Sequence, residues 1–341
     1  MSKAISLLSG GLDSLLATIV VVKLGIDVTA VTFMTHFGCT AADTSSCSQD
    51  ATSVAYSFGF TVKMCHLGAK FFDIVKNPQF GHGRNMNPCM DCRILMLKEA
   101  RELMLAKGAN FIVTGEVLGQ RPMSQRRDTF PVIDRQADLT GLVLRPLSAK
   151  LLKPTIPEIQ GIVERNRLYG FAGRSRKPQI ALARELGLSD YPNPAGGCLL
   201  TDPIYSNRLK DLMTFKDSPD IADINLLRLG RHFRVSDDCK IIVGRDERDN
   251  EKILTYADNP DYLVTLVHHT GPVALIKGTA KERFIYDAAS LCARYSKARY
   301  YASVVAAVYQ GKIDLQNLVL YIEAEPAKEH SYESLMIKKS D

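Results

Sequence analysis

The sequence predicts an α/β protein, a parallel sheet with helices on both faces, followed by a smaller α+β unit. Three observations carry this. An apolar run at residues 4–8 turns through Ser9-Gly10-Gly11-Leu12-Asp13-Ser14 into a stretch with Leu15, Leu16, Ile19, Val20 and Leu24 on one helical face. Short Val- and Thr-rich segments then alternate with helical ones as far as Gly115. From about Asn225 the alternation gives way to strands that follow one another.

Residues 27–34 form the second strand, and a polar loop holding Cys39 and Cys47 follows. Residues 49–58 are helical and close at Gly59, and residues 60–67 form a third strand. A loop dense in functional residue types, Gly81-His82-Gly83-Arg84-Asn85-Met86-Asn87-Pro88-Cys89-Met90-Asp91-Cys92-Arg93, precedes a helix over 94–107. Residues 110–114 are a buried strand ending on Gly115-Glu116, and residues 119–127 a basic loop. A short strand at 143–147 and helices at 157–166 and 181–186 complete the first unit, and a Pro/Gly-rich run then leads to Cys198. In the second unit, residues 239–243, 262–268 and 273–277 read as strands and 283–308 as largely helical, with a charged, frayed tail. The expected organisation is a nucleotide-binding domain over 1–200, a connecting segment over 201–228, a second domain over 229–325 and a flexible tail over 326–341.

Apolar content of 46% in 341 residues is that of a globular chain. The net charge of +6 suits a phosphate-bearing partner, and eight basic residues stand against two acids between Arg145 and Lys177. No uncharged stretch reaches the roughly 18 residues a membrane span needs, and the first apolar run leads into the glycine turn and not a cleavage site. The expected compartment is the cytoplasm, where eight cysteines point to reduced, catalytic or metal-bound thiols more than to disulfides.

A strand, a glycine turn and a helix make an anion site. Gly10 and Gly11 let backbone N–H groups turn inward, the helix N-terminus adds partial positive charge, and Ser9 and Ser14 add donors. No Gly-Lys-Ser/Thr follows, so it is not a Walker A loop. An ordinary strand-to-helix turn would use the same residue types. The order Ser-Gly-Gly-x-Asp-Ser resembles the PP-loop family, whose adenine nucleotide alpha hydrolase-like fold cleaves ATP between the α- and β-phosphates. That resemblance implies a pyrophosphate cradle of Ser9, Gly10, Gly11, Asp13 and Ser14, with Gly115 also at the nucleotide. Asp13 is then a candidate Mg²⁺ ligand or, equally, a helix cap.

Cys89 and Cys92 form a C-x-x-C pair whose thiolates can reach one metal. A redox pair or two buried thiols would have the same spacing. Cys198, on a loop that can approach closely, is the candidate third ligand. The run from Cys47 to Gly115 resembles the tRNA 2-thiouridylase branch of the PP-loop enzymes: Cys47 and Asp50, then Gly83, Asn87-Pro88, Cys92 and Phe111-Ile112-Val113-Thr114-Gly115. Cluster-free members carry an acid where this chain has Cys89 and use cysteines matching Cys92 and Cys198 as nucleophile and persulfide pair. Cys89 therefore implies the cluster-dependent type, in which Cys89, Cys92 and Cys198 hold a 4Fe-4S cluster. Glu116 departs from the branch, which has His there. Residues 231–310 resemble the NFACT-R RNA-binding domain, through residues 241–250 and 288–299.

The resemblances imply a tRNA thiouridine synthetase of the 2-thiouridylase and 4-thiouridine synthetase kind. Catalytic Cys92, Cys198 and Asp13 would use ATP, Mg²⁺, a 4Fe-4S cluster, and sulfide or another sulfur donor to thiolate tRNA, with no membrane partner; a homodimer is left open. The alternatives are a persulfide relay between Cys92 and Cys198, a PP-loop sulfur-insertion or amidotransferase enzyme acting on a small molecule, and an RNA-binding protein without activity.

Overall fold

The computed structural model describes residues 2–37, 51–188, 198–328 and 330–338. The chain divides into two units, Met1–Thr201 and Asp202–Asp341. In the first, β1 (Lys3–Leu7) leads through the glycine turn into α1 (Leu12–Val22). There follow β2 (Asp27–Met34), α2 (Ala51–Phe58), β3 (Thr61–His66), α3 (Gly68–Lys76), α4 (Cys89–Lys107), β4 (Phe111–Thr114), α5 (Thr129–Gln136), β5 (Val143–Leu144), α6 (Ile156–Ile159) and α7 (Lys177–Glu185). The five strands are parallel in the order β3-β2-β1-β4-β5. Chain order therefore reverses between β1 and β4, and the loops leaving those two strands part there to open a crevice.

Both faces of this sheet are covered, as the sequence predicts. Ile5 and Leu7 of β1 and Ile112 of β4 pack with Ile94, Leu97 and Met104 of α4 and Ile133 of α5. Ala4, Phe111 and Val113 point the other way, onto Leu16, Ile19 and Val20 of α1 and Leu182 of α7. Each of the larger side chains contributes about 2 kcal/mol on burial. Ser6 lies in the same layer as Ala4 and pairs with Thr18 of α1 at 2.7 Å, and Thr18 donates to Ser14 O at 2.8 Å. A buried polar pair thus ties the strand to the helix that starts at the turn.

The second unit begins with α8 (Pro203–Phe215) and α9 (Ile221–Leu226). Its sheet comprises β6 (Arg231–Ser236), β7 (Cys239–Val243), β8 (Tyr262–Leu266), β9 (Ala274–Gly278), β10 (Val304–Gln310) and β11 (Leu318–Ala324), with α10 (Glu247–Tyr256) after β7 and α11 (Glu282–Arg294) after β9. The strands pair antiparallel in the order β11-β10-β8-β9-β7-β6. Phe284, Ile285, Ala288 and Leu291 of α11 pack on one face; α9 and α10 cover part of the other through Leu226, Ile253 and Ala257. No described helix is long and apolar enough to cross a membrane.

Several local expectations change. Helix α4 starts five residues before Ile94, so the C-x-x-C lies in its first turn and not in a loop; Pro88 at the N-cap ends the loop, and Asp91 supplies the acidic group a first turn favours. The helix expected at 157–166 is one turn, because Gly161 takes a left-handed φ of +71° just after it. The end of the helix expected at 283–308 is strand β10, whose Val-Val-Ala-Ala-Val-Tyr run pairs on both edges. Residues 201–228 carry helices, anchored where Asp211 of α8 receives a two-pronged bond from Arg234 at 2.9 and 2.7 Å. The tail expected to fray returns to β6: Arg234 N donates to Leu335 O and Ile337 N to His232 O. Helices α3 and α5, short and flanked by polar loops, have no clear signature in the sequence.

Candidate active site

The turn after β1 closes on itself. Gly10 takes φ +75°, a conformation that only glycine adopts without strain. Ser14 Oγ accepts from Ser9 N and Ser9 Oγ, both at 3.1 Å, and donates to Gly11 O at 2.8 Å. Gly11 is the N-cap of α1 and brings no side-chain cap, so the first amides of the helix keep their capacity for an anion.

Gly115, at the end of β4, closes against this turn. A Cβ there would lie 2.4 Å from Ser14 Cα and N and 2.6 Å from Asp13 C, all backbone atoms. Only glycine permits that approach, and the switch point between β1 and β4 creates it. The result is a pocket of about 130 Å³ lined by Ser9, Gly11, Asp13, Ser14 and Gly115, with Arg93, Glu116, Gln120, Arg121, Gln125 and Arg176 around them. Gly10 shapes the turn from outside that lining.

Asp13 points its carboxylate into the pocket. Its Oδ2 accepts from Gln120 at 2.8 Å and lies 3.9 Å from Arg176. Its Oδ1 is buried without a hydrogen-bond partner among the described residues, and so are Gln120 Oε1 and Gln125 Oε1. A buried carboxylate oxygen beside a phosphate-type cradle fits one ligand position of Mg²⁺, which takes one or two carboxylates and draws its remaining ligands from phosphate and water.

Behind the pocket, Glu116 is 2% exposed and meets Arg93 at 3.1 Å and Arg145 at 3.0 Å. Arg145, 4% exposed, also holds Asp134 through two bonds of 2.7 and 2.9 Å and lies 4.0 Å over the Phe130 ring. Burial pushes the Glu116 carboxyl up, but the Arg93 and Arg145 guanidiniums outweigh it and hold the group below its usual range. Arg145 is therefore a buried structural cation and not, as its place at the head of the basic stretch implied, a phosphate contact. Lys150, Lys153, Arg167, Arg174 and Lys177 of that stretch are exposed.

Cys89 and Cys92 sit on the opening turn of α4. Burial pushes both thiols up, Cys92 to about 12; Arg93 and Arg121 pull both back in part. Charge on Cys198 and on Cys89 raises Cys92 further, so the three sulfurs share one neighbourhood. Cys198 is held there by its own segment: Asn85 Nδ2 donates to Thr201 O at 2.7 Å, Met86 N donates to Leu200 O at 3.1 Å, and Thr201 Oγ1 returns to Cys198 O at 2.6 Å. Asp91, inside the C-x-x-C, fixes the preceding loop by accepting from Gln79 N and Phe80 N at 2.9 and 3.1 Å. Among the described residues no three His, Cys, Asp or Glu side chains are already grouped around a metal position. The three thiols nevertheless suit an iron–sulfur cluster in donor type. Cys47, Asp50 and residues 191–197 lie outside the described residues.

With Cys92 at about 12 against an ordinary 9.0, its thiolate fraction at pH 8 is roughly a thousandfold smaller than in an unfolded chain. Iodoacetamide at pH 8 should accordingly label Cys92 at least about tenfold more slowly in the native protein than in urea, read by peptide mass spectrometry. Equal rates would mean that burial does not control this thiol.

Residues 1–159 match the family model described as thiamine biosynthesis protein (ThiI), and residues 230–336 match that of the NFACT protein RNA binding domain. The first unit is thus similar to the ThiI family over most of its length, and the second to the NFACT RNA-binding domain. The glycine turn, Gly115, Cys89 and Cys92 fall within the ThiI match, while Cys198 lies beyond its end. Over 244 residues the chain is 27% identical to a tRNA-specific 2-thiouridylase (MnmA 2) of Thermoanaerobacter sp. (strain X514), covering 66% of this chain and 63% of that protein. It is 28% identical over 154 residues to a probable tRNA sulfurtransferase of Thermococcus kodakarensis, covering 42% of this chain and 36% of that one. The chain thus spans only part of the length of either relative. A solved 4-thiouridine synthetase–RNA complex with bound ATP aligns at TM-score 0.38 and 19% identity, over 66% of this chain and 52% of the other.

Sequence reasoning gave no role to Arg93, Asn85 or Asp91 and did not anticipate the Glu116–Arg145–Asp134 network around the pocket. Arg93 carried a signal, its place beside Cys92. Arg145 carried none, because its partners are 29 and 11 residues away.

Proposed function

We propose that this protein is an ATP-dependent tRNA thiouridine synthetase. The observation that carries the reading is that Arg93 and Arg121 belong to two sites at once. Both line the pocket over the glycine turn, and both lie close enough to Cys89 and Cys92 for their charge to act on those thiols. A nucleotide in the cradle and a sulfur on the cysteines would therefore meet across two guanidiniums. The names of the relatives, 2-thiouridylase and tRNA sulfurtransferase, support the same chemistry.

In this reading Ser9, Gly11, Ser14 and Gly115 would bind the ATP phosphates on the turn that Gly10 shapes, and Asp13 Oδ1 would hold Mg²⁺, which would offset their charge. A uridine carbonyl oxygen attacks the α-phosphate and pyrophosphate leaves. Sulfur then attacks the carbonyl carbon and AMP leaves with the oxygen, so C=O becomes C=S. Arg93 and Arg121 face the charge that develops at the phosphates. Cys89, Cys92 and Cys198 would hold a 4Fe-4S cluster, which when bound supplies an open iron site for sulfide. The closeness of Cys198 to Cys92, felt in the charge that raises the Cys92 thiol, also suits a second reading, a persulfide relay. Cys92 would take the outer sulfur of a donor persulfide and pass it to the activated carbon as AMP leaves. Cys198 would then release the thiouridine by forming a disulfide with Cys92, which an external thiol reduces. The exposed basic residues from Lys150 to Lys177 and the NFACT domain would hold tRNA through phosphates, so binding should weaken steeply with salt.

The test is anaerobic incubation of the protein with unmodified tRNA, ATP and Mg²⁺, with sulfide in one arm and a persulfide donor plus a thiol reductant in the other, followed by nucleoside mass spectrometry. Thiouridine should form and should be lost in Asp13→Ala, Cys92→Ala and Cys198→Ala. No sulfur in any tRNA would refute the function. An active Cys89→Ala variant, or protein that takes up no iron, would refute the cluster and leave the relay.

A further inference from the structure

The NFACT domain carries an aromatic and cationic surface that the thiolation chemistry does not use. After α11 the chain makes a 3₁₀ turn, Lys297–Tyr300, begun by Ser296, whose Oγ accepts from Ala298 N at 2.9 Å and donates to Ala293 O at 2.8 Å. That turn presents Tyr300 at 80% and Tyr301 at 57% exposure. The Arg299 guanidinium lies 4.7 Å over the Tyr300 ring, and the His269 ring stands 4.7 Å from Tyr301. The two backbone segments are packed directly on each other: a Cβ on Gly271 would come within 3.0 Å of Ser296 Cβ. The rings are therefore held on a rigid base.

The chain segments that carry them supply only positive charge, and the neighbouring Glu323 carboxylate is taken up by Ser303 Oγ. Residues 262–281 and 288–313 contain no Asp or Glu, and Lys297 and Arg299 are exposed. Tyrosine rings left in water beside cations fit a polyanion that also offers flat apolar faces. A duplex is gripped by phosphate and sugar contacts and hides its base faces, whereas unpaired nucleotides stack on exposed rings. We propose that Tyr300 and Tyr301, with Arg299, Lys297 and His269, form a stacking platform for unpaired bases of RNA. The platform rests on the reading of this domain as an RNA binder, and it assigns that binding to loops and single-stranded ends.

The experiment uses the full chain and three fluorescein-labelled probes: a single-stranded oligouridine, a duplex of equal length and an unmodified tRNA transcript. Tyr300→Ala/Tyr301→Ala should bind the single strand at least about tenfold more weakly than wild type and the duplex unchanged, with an unaltered melting temperature. Tyr300→Phe should bind as wild type. Lys297→Ala should lower the salt dependence of binding by about one unit of slope without removing stacking. A 2-aminopurine base in the single strand should lose emission on binding wild type and keep it with Tyr300→Leu/Tyr301→Leu. If the alanine double variant binds the single strand as wild type does, the platform is wrong while RNA binding stands. If the leucine pair retains both affinity and quenching, the tyrosine rings do not stack the bases and the proposal falls. If wild type binds none of the three probes, the RNA reading of the domain falls with it.

Discussion

Gly115→Ala should abolish ATP binding and destabilise the first unit by about 2–3 kcal/mol. The added methyl would meet Ser14 Cα and N at 2.4 Å and Asp13 C at 2.6 Å. These are backbone atoms of the first turn of α1, and no rotamer change can clear them. Either β4 or the start of α1 must move, and the start of α1 is the anion site itself. Gly11→Ala supplies the contrast. Gly11 has φ −90° and ψ 156°, open to any residue, and its nearest obstacle would be Ser9 Oγ at 3.6 Å. That variant should unfold as wild type does. Denaturant unfolding and calorimetric titration with ATP would decide the matter. A Gly115→Ala protein that binds ATP normally would show that the close approach of β4 to the turn does not shape the site.

Arg145→Ala is expected to cost about 3–5 kcal/mol, because it strands two buried carboxylates. Glu116 would keep Arg93 and the Thr114 hydroxyl, and Asp134 would lose both bonds of its fork. The pH dependence gives the sign. In the native protein the folded-state pKa of Glu116 lies below the ordinary 4.5, so its contribution is complete above that pH and is lost as pH falls through the folded value. Without Arg145, the acid loses one of its two guanidinium partners, and burial pushes its pKa up against weaker opposition. The gap in unfolding free energy between wild type and variant should therefore widen as pH rises from 3 to about 7. The double variant Arg145→Met/Glu116→Gln should recover part of the loss. A gap that narrows with rising pH would mean that Glu116 is not held ionised by this network.

Much of the fold was legible because it rests on local pattern. The alternation of apolar strands with helices to Gly115 needs no long-range information, and residues 27–34 emerged with the same limits as β2. Errors gathered where tertiary pairing overrode the local signal. Residues 304–310 follow a helix without a strong breaker, and they become a strand because β8 and β11 accept them on either side. The C-x-x-C read as a loop because Pro88 and Asn87 precede it. Pro88 is in fact the N-cap that starts α4, which puts both thiols on one helical turn.

The candidate site divides in the same way. By itself the sequence determined its chemical inventory: a serine–glycine–aspartate turn before a helix, three cysteines on or beside loops, and a run of basic residues. These are matters of residue type and short spacing, which backbone conformation and side-chain chemistry settle locally. Only the tertiary structure decided which of them meet. Strand order 3-2-1-4-5 brings Gly115 against Ser14 across about a hundred residues of chain, and Asn85 and Met86 pin the Cys198 segment beside Cys92. It also withdrew Arg145 from the basic surface by burying it between Glu116 and Asp134. A charge in a sequence is only a capacity for binding; whether it faces solvent or another charge depends on how distant segments pack.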